Sequence, residues 1–238
     1  MTLVARGVAR PPIRRAVARG MVVPAYFHPA VAAADWRQLR AAGTAVWAVI
    51  LNVADGPGDA PERELSAAAA ATGRPLLGYV DSAYGQRPHA DVLRDIRRHR
   101  EWYPTTGIFL DRVAADASAL PAYERLIRAA RRMAPGTMVL NHGAYPDPGY
   151  AAIADTMVTF EGSWGAYQKV EVPEWVRRMP AARFCHLVYD TPAHLLHETL
   201  ESAAAHHVGG VFVTDRGGAN PWDGLPTYFA AQASAWAG

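Results

Sequence analysis

PLLGYVDSAYGQRPHADVLRDIRRHREWYPTTGIFLD, residues Pro75–Asp111, is the stretch that decides the fold. It opens on one apolar run, Pro75–Asp81, and closes on another, Gly107–Asp111, and both runs end in a carboxylate. Between them, across Ala90–Trp102, Val92, Leu93, Ile96 and Trp102 recur at helical spacing, with Arg and His on the opposite side. Strand, amphipathic helix and strand in that order make the unit of a parallel sheet with helical crossovers. The unit repeats outward in both directions. Upstream lie Met21–Phe27 and Ala45–Asn52; downstream lie Thr137–His142, Thr156–Glu161, Arg183–Tyr189 and Gly210–Asp215. Helical patterns fill the gaps at Ala33–Ala42, Ala60–Ala71, Tyr123–Met133, Ala193–His206 and Tyr228–Trp236, with short or irregular pieces near Ala151–Ala154 and Glu174–Met179. Eight such units in 238 residues predict an α/β chain folded as a single (β/α)8 TIM barrel.

The barrel is expected over residues 21–238, preceded by a flexible basic segment over residues 1–20. That segment holds five Arg and two adjacent Pro but no apolar core, so it does not read as a secretory signal, and a cytoplasmic location is expected. No run approaches the roughly 18 apolar residues of a membrane span. A net charge of +2 demands neither nucleic acid nor lipid as partner. Cys185 is the sole cysteine, so no intrachain disulfide forms; inside an apolar run it reads as a small buried hydrophobe before it reads as a nucleophile.

Barrel active sites sit where strands end, at the C-terminal face. Asn52, Asp81, Asp111, Asn141, Glu161 and Asp215 stand at such ends. Residues two apart share a strand face. Phe109 then goes with Asp111, Thr159 with Glu161, Ile50 with Asn52 and Val213 with Asp215, so that the even-numbered strands bring Asn52, Asp111, Glu161 and Asp215 to one mouth. Loops 54–61 (ADGPGDAP), 142–149 (HGAYPDPG) and 216–226 (RGGANPWDGLP) follow strand ends and crowd the same face. Two carboxylates across such a mouth fit glycoside hydrolysis, one as nucleophile or base and the other as acid. Asp111 and Glu161 are the candidates; their structural alternative is helix capping or pairing with Arg. Tyr26, Tyr79, Tyr84, Trp164, Tyr189 and Trp222 offer flat faces for sugar rings at or past strand ends; each alone reads as a packing residue before it reads as a ligand contact, and together they favour a groove.

Other motifs are weaker. His194-x-x-His197-Glu198 departs in order and spacing from the zincin patterns and falls on an outward helix. A metal-assisted hydrolase using His28, His142 and Asp215 is a third reading, though no spacing singles it out. Asp55-Gly-Pro-Gly-Asp59 lacks the Lys and the glycine spacing of a phosphate loop and reads as a tight turn. Neither a cofactor nor a metal is expected.

The blocks VPAYFHP, LNVADGPG, LLGYVDSAYGQR, DIRRHREWY, GIFLDRV, FEGSW and VTDRGGANPWDGLPTY, spread from Val22 to Tyr228, resemble in content and order the spherulation-specific family of spherulin-four-like proteins. The resemblance implies a (β/α)8 glycoside hydrolase group, whose fungal members cut galactosaminogalactan at α-1,4-linked N-acetylgalactosamine. It implies Asp111 as the Asp of a strand-four Asp-Glu pair and Glu161 as the strand-six Glu. The implied partner is an amino-sugar poly- or oligosaccharide; the candidates to contact it, taken from the strand ends and the loops that follow them, are Tyr26, His28, Asn52, Tyr79, Arg112, Asn141, Trp164, Tyr189, Asp215 and Trp222. Family members are often exported. One departure stands out: Arg112 occupies the place where active fungal members carry Glu. A guanidinium has no proton to give at neutral pH. Arg112 is therefore expected to ion-pair with a rim carboxylate and narrow the site, with hydrolysis of galactosamine polymers weak or absent. The alternative is a non-catalytic carbohydrate-binding barrel, which pairing of Arg112 with Asp111 would favour.

Overall fold

The computed structural model describes residues 20–236. The flexible lead-in expected over residues 1–20 lies, but for Gly20, outside the described residues. Eight parallel strands run in chain order around one sheet: β1 Met21–Ala25, β2 Val46–Leu51, β3 Leu76–Asp81, β4 Gly107–Asp111, β5 Thr137–Asn141, β6 Thr156–Ser163, β7 Phe184–Tyr189 and β8 Gly210–Val213. A parallel bridge between Gly20 and Gly210 joins the first edge to the last. The helices are α1 Pro29–Ala41, α2 Arg63–Ala71, α3 His89–Trp102, α4 Leu120–Met133, α5 Trp164–Tyr167, α6 Glu174–Arg177, α7 Leu196–Ala205 and α8 Phe229–Trp236. The chain is a single (β/α)8 TIM barrel. Among the described residues no helix is long and apolar enough to cross a membrane.

Local chemistry sets the helix ends. His28 caps α1 by accepting the Ala30 N–H at Nδ1, and Pro29 supplies a first turn that needs no donor. The Glu62 carboxylate accepts the Leu65 N–H at 2.6 Å to start α2. Along α4 the stripe Tyr123, Leu126, Ile127 and Ala130 is buried, and the helix stops just before Pro135-Gly136.

Alternation along the strands divides the core. Tyr79, Phe109, Val139, Val158, Cys185, Leu187 and Phe212 pack together inside the barrel. Ile108, Leu110, Met138, Leu140, Met157 and Phe184 face outward and pack with the buried stripes of α3 and α4. Each large side chain so buried contributes about 1.5–3 kcal/mol.

Two registers depart from strict alternation. The β6–β7 ladder shifts between Val158 and Phe160, a bulge that leaves Val158 in the inner cluster and Phe160 in an outer one. Thr159 therefore does not share the face of Glu161; its hydroxyl meets Nε2 of outward-facing His186 at 3.1 Å. On β8 it is Phe212 that points inward, while Val211 and Val213 point outward. Val213 and Asp215 are thus not on the inner face.

Candidate active site

At the C-terminal mouth a cavity of about 610 Å³ is lined by Tyr26, Asn52, Val53, Ala54, Asp55, Tyr79, Asp111, Glu161, Tyr189 and the loop residues Gly218–Trp222. The strands aim its chemistry. Tyr79 and Asp111 come up on β3 and β4, whose ladder sets Tyr79 beside Phe109 and Asp81 beside Asp111. Asn141 ends β5 and Glu161 rides on β6, turned inward by the bulge.

Asn141 ties the two carboxylates together. Its Nδ2 donates to Asp111 Oδ1 at 2.6 Å and to Glu161 Oε2 at 2.5 Å. Both oxygens touch one nitrogen, so they lie no more than 5.1 Å apart. The amide orientation is fixed from the other side, because Asn141 Oδ1 accepts the Gly143 N–H at 3.0 Å. The remaining carboxylate oxygens are also met: Tyr79 Oη donates to Asp111 Oδ2 at 2.7 Å, and Trp222 Nε1 donates to Glu161 Oε1 at 3.1 Å. Each of the four oxygens therefore has a side-chain donor.

Burial pushes both carboxyl groups above their ordinary range, and the Asp111 charge raises Glu161 further. The Tyr79 hydroxyl, the Arg112 backbone N–H and the Asn141 amide pull Asp111 back down. Glu161 is pulled back by Asn141 and Trp222. The pair is thus arranged for one proton between two sites, with Asp111 the better-supported anion and Glu161 the better-supported acid.

Arg112 turns away from this pair. Its φ is +48°, and its guanidinium grips the Asp81 carboxylate through Nε at 2.8 Å and through Nη2. These contacts and the Ala83 N–H hold Asp81 below its ordinary range despite partial burial. The Arg112 guanidinium also lies 6.0 Å from the centre of the exposed Tyr84 ring. Asp111 is left with neutral donors rather than a cation.

The other candidate residues divide between cavity and frame. Tyr26, Asn52, Tyr189 and Trp222 line the cavity, with Tyr189 edge-on to Trp222 at 6.1 Å. Asn52 Oδ1 is occupied by the Gly56 N–H at 2.9 Å. Five fall outside the lining: Asn141, which sits behind the two carboxylates it bridges, and four that act elsewhere. Trp164 is buried in α5 against Tyr167. His28 spans from the α1 cap to Glu62 at 3.3 Å. Arg112 holds Asp81. Asp215, one strand face away from the expected position, binds the Thr227 N–H at 3.2 Å and the Thr227 hydroxyl. His142, the remaining member of the metal reading, is buried outside the cavity lining and bonds the Ala114 carbonyl at 3.0 Å; burial lowers its pKa to about 4. Among the described residues no three His, Cys, Asp or Glu side chains gather to hold a metal. His194 and His197 lie at the start of the α7 segment, where His197 pairs with Glu201 at 2.9 Å.

Val53, Ala54, Asp55 and Gly218–Pro221 are cavity residues that were not singled out from sequence. Their signal was present as turn-rich loops at strand ends, which identify a location without identifying a side chain.

Comparison with known proteins comes to the same place. The family model described as spherulation-specific family 4 matches residues 20–236. Spherulin-4 of Physarum polycephalum is 31% identical over 235 residues, covering 90% of this chain and 69% of its own. Sph3 of Aspergillus clavatus, solved in complex with GalNAc, superposes with a TM-score of 0.79 at 23% identity over 93% of this chain and 98% of its own. A putative dihydrodipicolinate synthetase from Pseudomonas aeruginosa superposes with a TM-score of 0.53 at 13% identity over 92% of this chain and 76% of its own, a likeness of barrel alone.

Proposed function

The chain belongs to spherulation-specific family 4, and on that premise we propose that it is a glycoside hydrolase acting on an amino-sugar poly- or oligosaccharide of the galactosamine type. The observation that carries this reading is the Asp111–Glu161 pair, facing one cavity and bridged by Asn141. The cavity volume of about 610 Å³ suits a sugar segment. The GalNAc bound to Sph3 supports an N-acetylhexosamine as the relevant ligand class.

Two carboxyl groups close enough to share the donors of one amide nitrogen favour the retaining mechanism, since inversion needs room between them for a water. In the first step Asp111 attacks the anomeric carbon, the glycosidic C–O bond breaks, and Glu161 gives its proton to the departing oxygen. In the second step Glu161 takes a proton from water, whose oxygen attacks the same carbon and releases Asp111. The two steps leave both residues as they began. Tyr79 and Asn141 hold the Asp111 oxygens at fixed angles, which lowers the cost of orienting the nucleophile.

Arg112 bears on the choice between enzyme and mere sugar binder. Its guanidinium is engaged by Asp81 rather than Asp111, which favours the catalytic reading. The test is oligosaccharide release from acetylated and deacetylated α-1,4-galactosamine polymers. Wild type is expected to release product, and Asp111→Asn and Glu161→Gln to lose about 10²–10⁴-fold. Binding without turnover in wild type would convert the proposal to the carbohydrate-binding barrel. Arg112→Glu tests the remaining expectation, that the guanidinium depresses the rate: a gain supports it, and an unchanged rate removes Arg112 from the mechanism.

A further inference from the structure

The rim above β3 and β4 carries a strained, exposed aromatic that the cavity does not use. Six non-glycine residues among those described have a left-handed backbone, and three of them, Ala83 at φ +46°, Tyr84 at +55° and Arg112 at +48°, meet at this one place. Side chains other than glycine avoid that conformation unless their surroundings hold it, and here the hold is explicit. Asp81 Oδ1 accepts the Ala83 N–H at 2.7 Å, the Arg112 carbonyl accepts the Tyr84 N–H at 2.6 Å, and buried Ser82 Oγ lies within 3.0 Å of the Asp111 and Arg112 carbonyls. What these contacts present is a ring in water. Tyr84 is 56% exposed, and Val31 is the only other large hydrophobic residue so exposed among the described residues. Arg112 braces it. Its Nε and Nη2 are bound to Asp81, its guanidinium carbon lies 6.0 Å from the Tyr84 ring centre, and Nη1 keeps its two N–H groups without a hydrogen-bond partner among the described residues. Arg112 directly follows the cavity residue Asp111, so this platform borders the cavity without lining it.

We propose that Tyr84 and Arg112 form a second sugar subsite on this rim, outside the cavity, which takes a further N-acetylgalactosamine ring of the polysaccharide whose neighbouring part occupies the cavity. This deepens the glycosidase reading and rests on it for the identity of the ligand as a sugar. A galacto-configured ring suits the pair. Its axial O4 leaves C3, C4 and C5 presenting only C–H bonds on the opposite face, an apolar patch that lies flat on an aromatic ring. Its acetamido carbonyl and hydroxyl oxygens are acceptors, and the Arg112 Nη1 N–H groups are donors in want of one. Both side chains are fixed before the sugar arrives: Arg112 by Asp81, and the Tyr84 backbone by its own contacts. Binding therefore orders little that is not already ordered.

The experiment is calorimetric titration with N-acetylgalactosamine and with α-1,4-linked N-acetylgalactosamine oligomers of increasing length. Glu161→Gln serves as background so that nothing is cleaved during the measurement. Tyr84→Asn removes the ring while Asn accepts the left-handed backbone, and Tyr84→Phe keeps the ring. Tyr84→Asn is expected to weaken binding of the longest oligomers about five- to tenfold and to leave the monosaccharide unchanged, with Tyr84→Phe within about twofold of the background at every length. Equal loss at every length, no loss at any length, a loss in Tyr84→Phe as large as in Tyr84→Asn, or no binding of any oligomer would each overturn the inference. So would a dimer in sedimentation that Tyr84→Asn dissociates, which would give the ring to a second copy of this chain. Wild-type turnover of the same oligomers is followed separately. A length-dependent loss without turnover sustains the rim subsite while the glycosidase reading fails, and turnover without that loss does the reverse.

Discussion

Asn141 spends both amide protons on two groups that repel each other when ionised, which makes it the residue that sets the spacing of the pair. Its neighbours then set the protonation. Tyr79 stabilises the Asp111 anion, so Tyr79→Phe leaves Asp111 harder to ionise and moves the acidic limb of the kcat/KM profile to higher pH. A limb that stays in place in the variant would separate Tyr79 from Asp111. Stability carries the same signature with its own sign. The Glu161 pKa is raised in the folded state, so the folded protein holds that proton more tightly than the unfolded chain. Its contribution is neutral while both states are protonated and turns destabilising as pH rises through the folded pKa. Glu161→Gln should therefore melt near wild type in acid and increasingly above it toward neutral pH, measured as Tm against pH. A gap in Tm that is constant with pH would contradict the raised pKa.

At the scale of the strand, Gly78 shows how the site is held from behind. A Cβ there would meet the His99 ring at 2.5 Å, and His99 Nε2 lies 2.7 Å from the Tyr79 carbonyl. Burial lowers the His99 pKa to about 4, so the ring is neutral and donates to that carbonyl. Gly78→Ala should cost about 1–3 kcal/mol in denaturant unfolding as an overpacked contact, and should lower kcat by displacing Tyr79. Strand identity was legible without coordinates because apolar runs and helical spacing are strong signals, and the β4 strand Gly107–Asp111 is where the sequence pattern places it. Facing was less legible. The bulge near Thr159 adds one residue to β6 without any Gly or Pro to announce it, and β8 differs from the expected face by a single position. Period-two reasoning holds within a strand and fails across a bulge, so Glu161 was placed inward for a reason the bulge replaces, and Asp215 was placed on the wrong face. Arg112 was legible as a pairing residue, but its partner depends on the register of β3 against β4.

Across the whole molecule, the first and last units of the barrel meet at its base and at its mouth. At the base Gly20 bridges Gly210 and joins β1 to β8. At the mouth Asp35 of α1 accepts the Leu225 N–H at 3.0 Å, while Arg216 donates to the Leu225 carbonyl at 3.0 Å. These contacts pin the loop that presents Trp222 to Glu161. Trp222 lowers the Glu161 pKa, so Trp222→Phe should raise it and move the alkaline limb of the rate profile to higher pH while kcat falls about tenfold or more. If the α1 contact acts by holding Trp222 in place, Asp35→Ala should shift that same limb partway in the same direction. A purely structural role for Asp35 predicts something different: a lower Tm, by about 2–4 °C for roughly 1 kcal/mol in a chain of this size, with the alkaline limb unmoved. Measuring both quantities on the one variant decides whether the first helix of the barrel tunes, through its last loop, the carboxyl carried on β6.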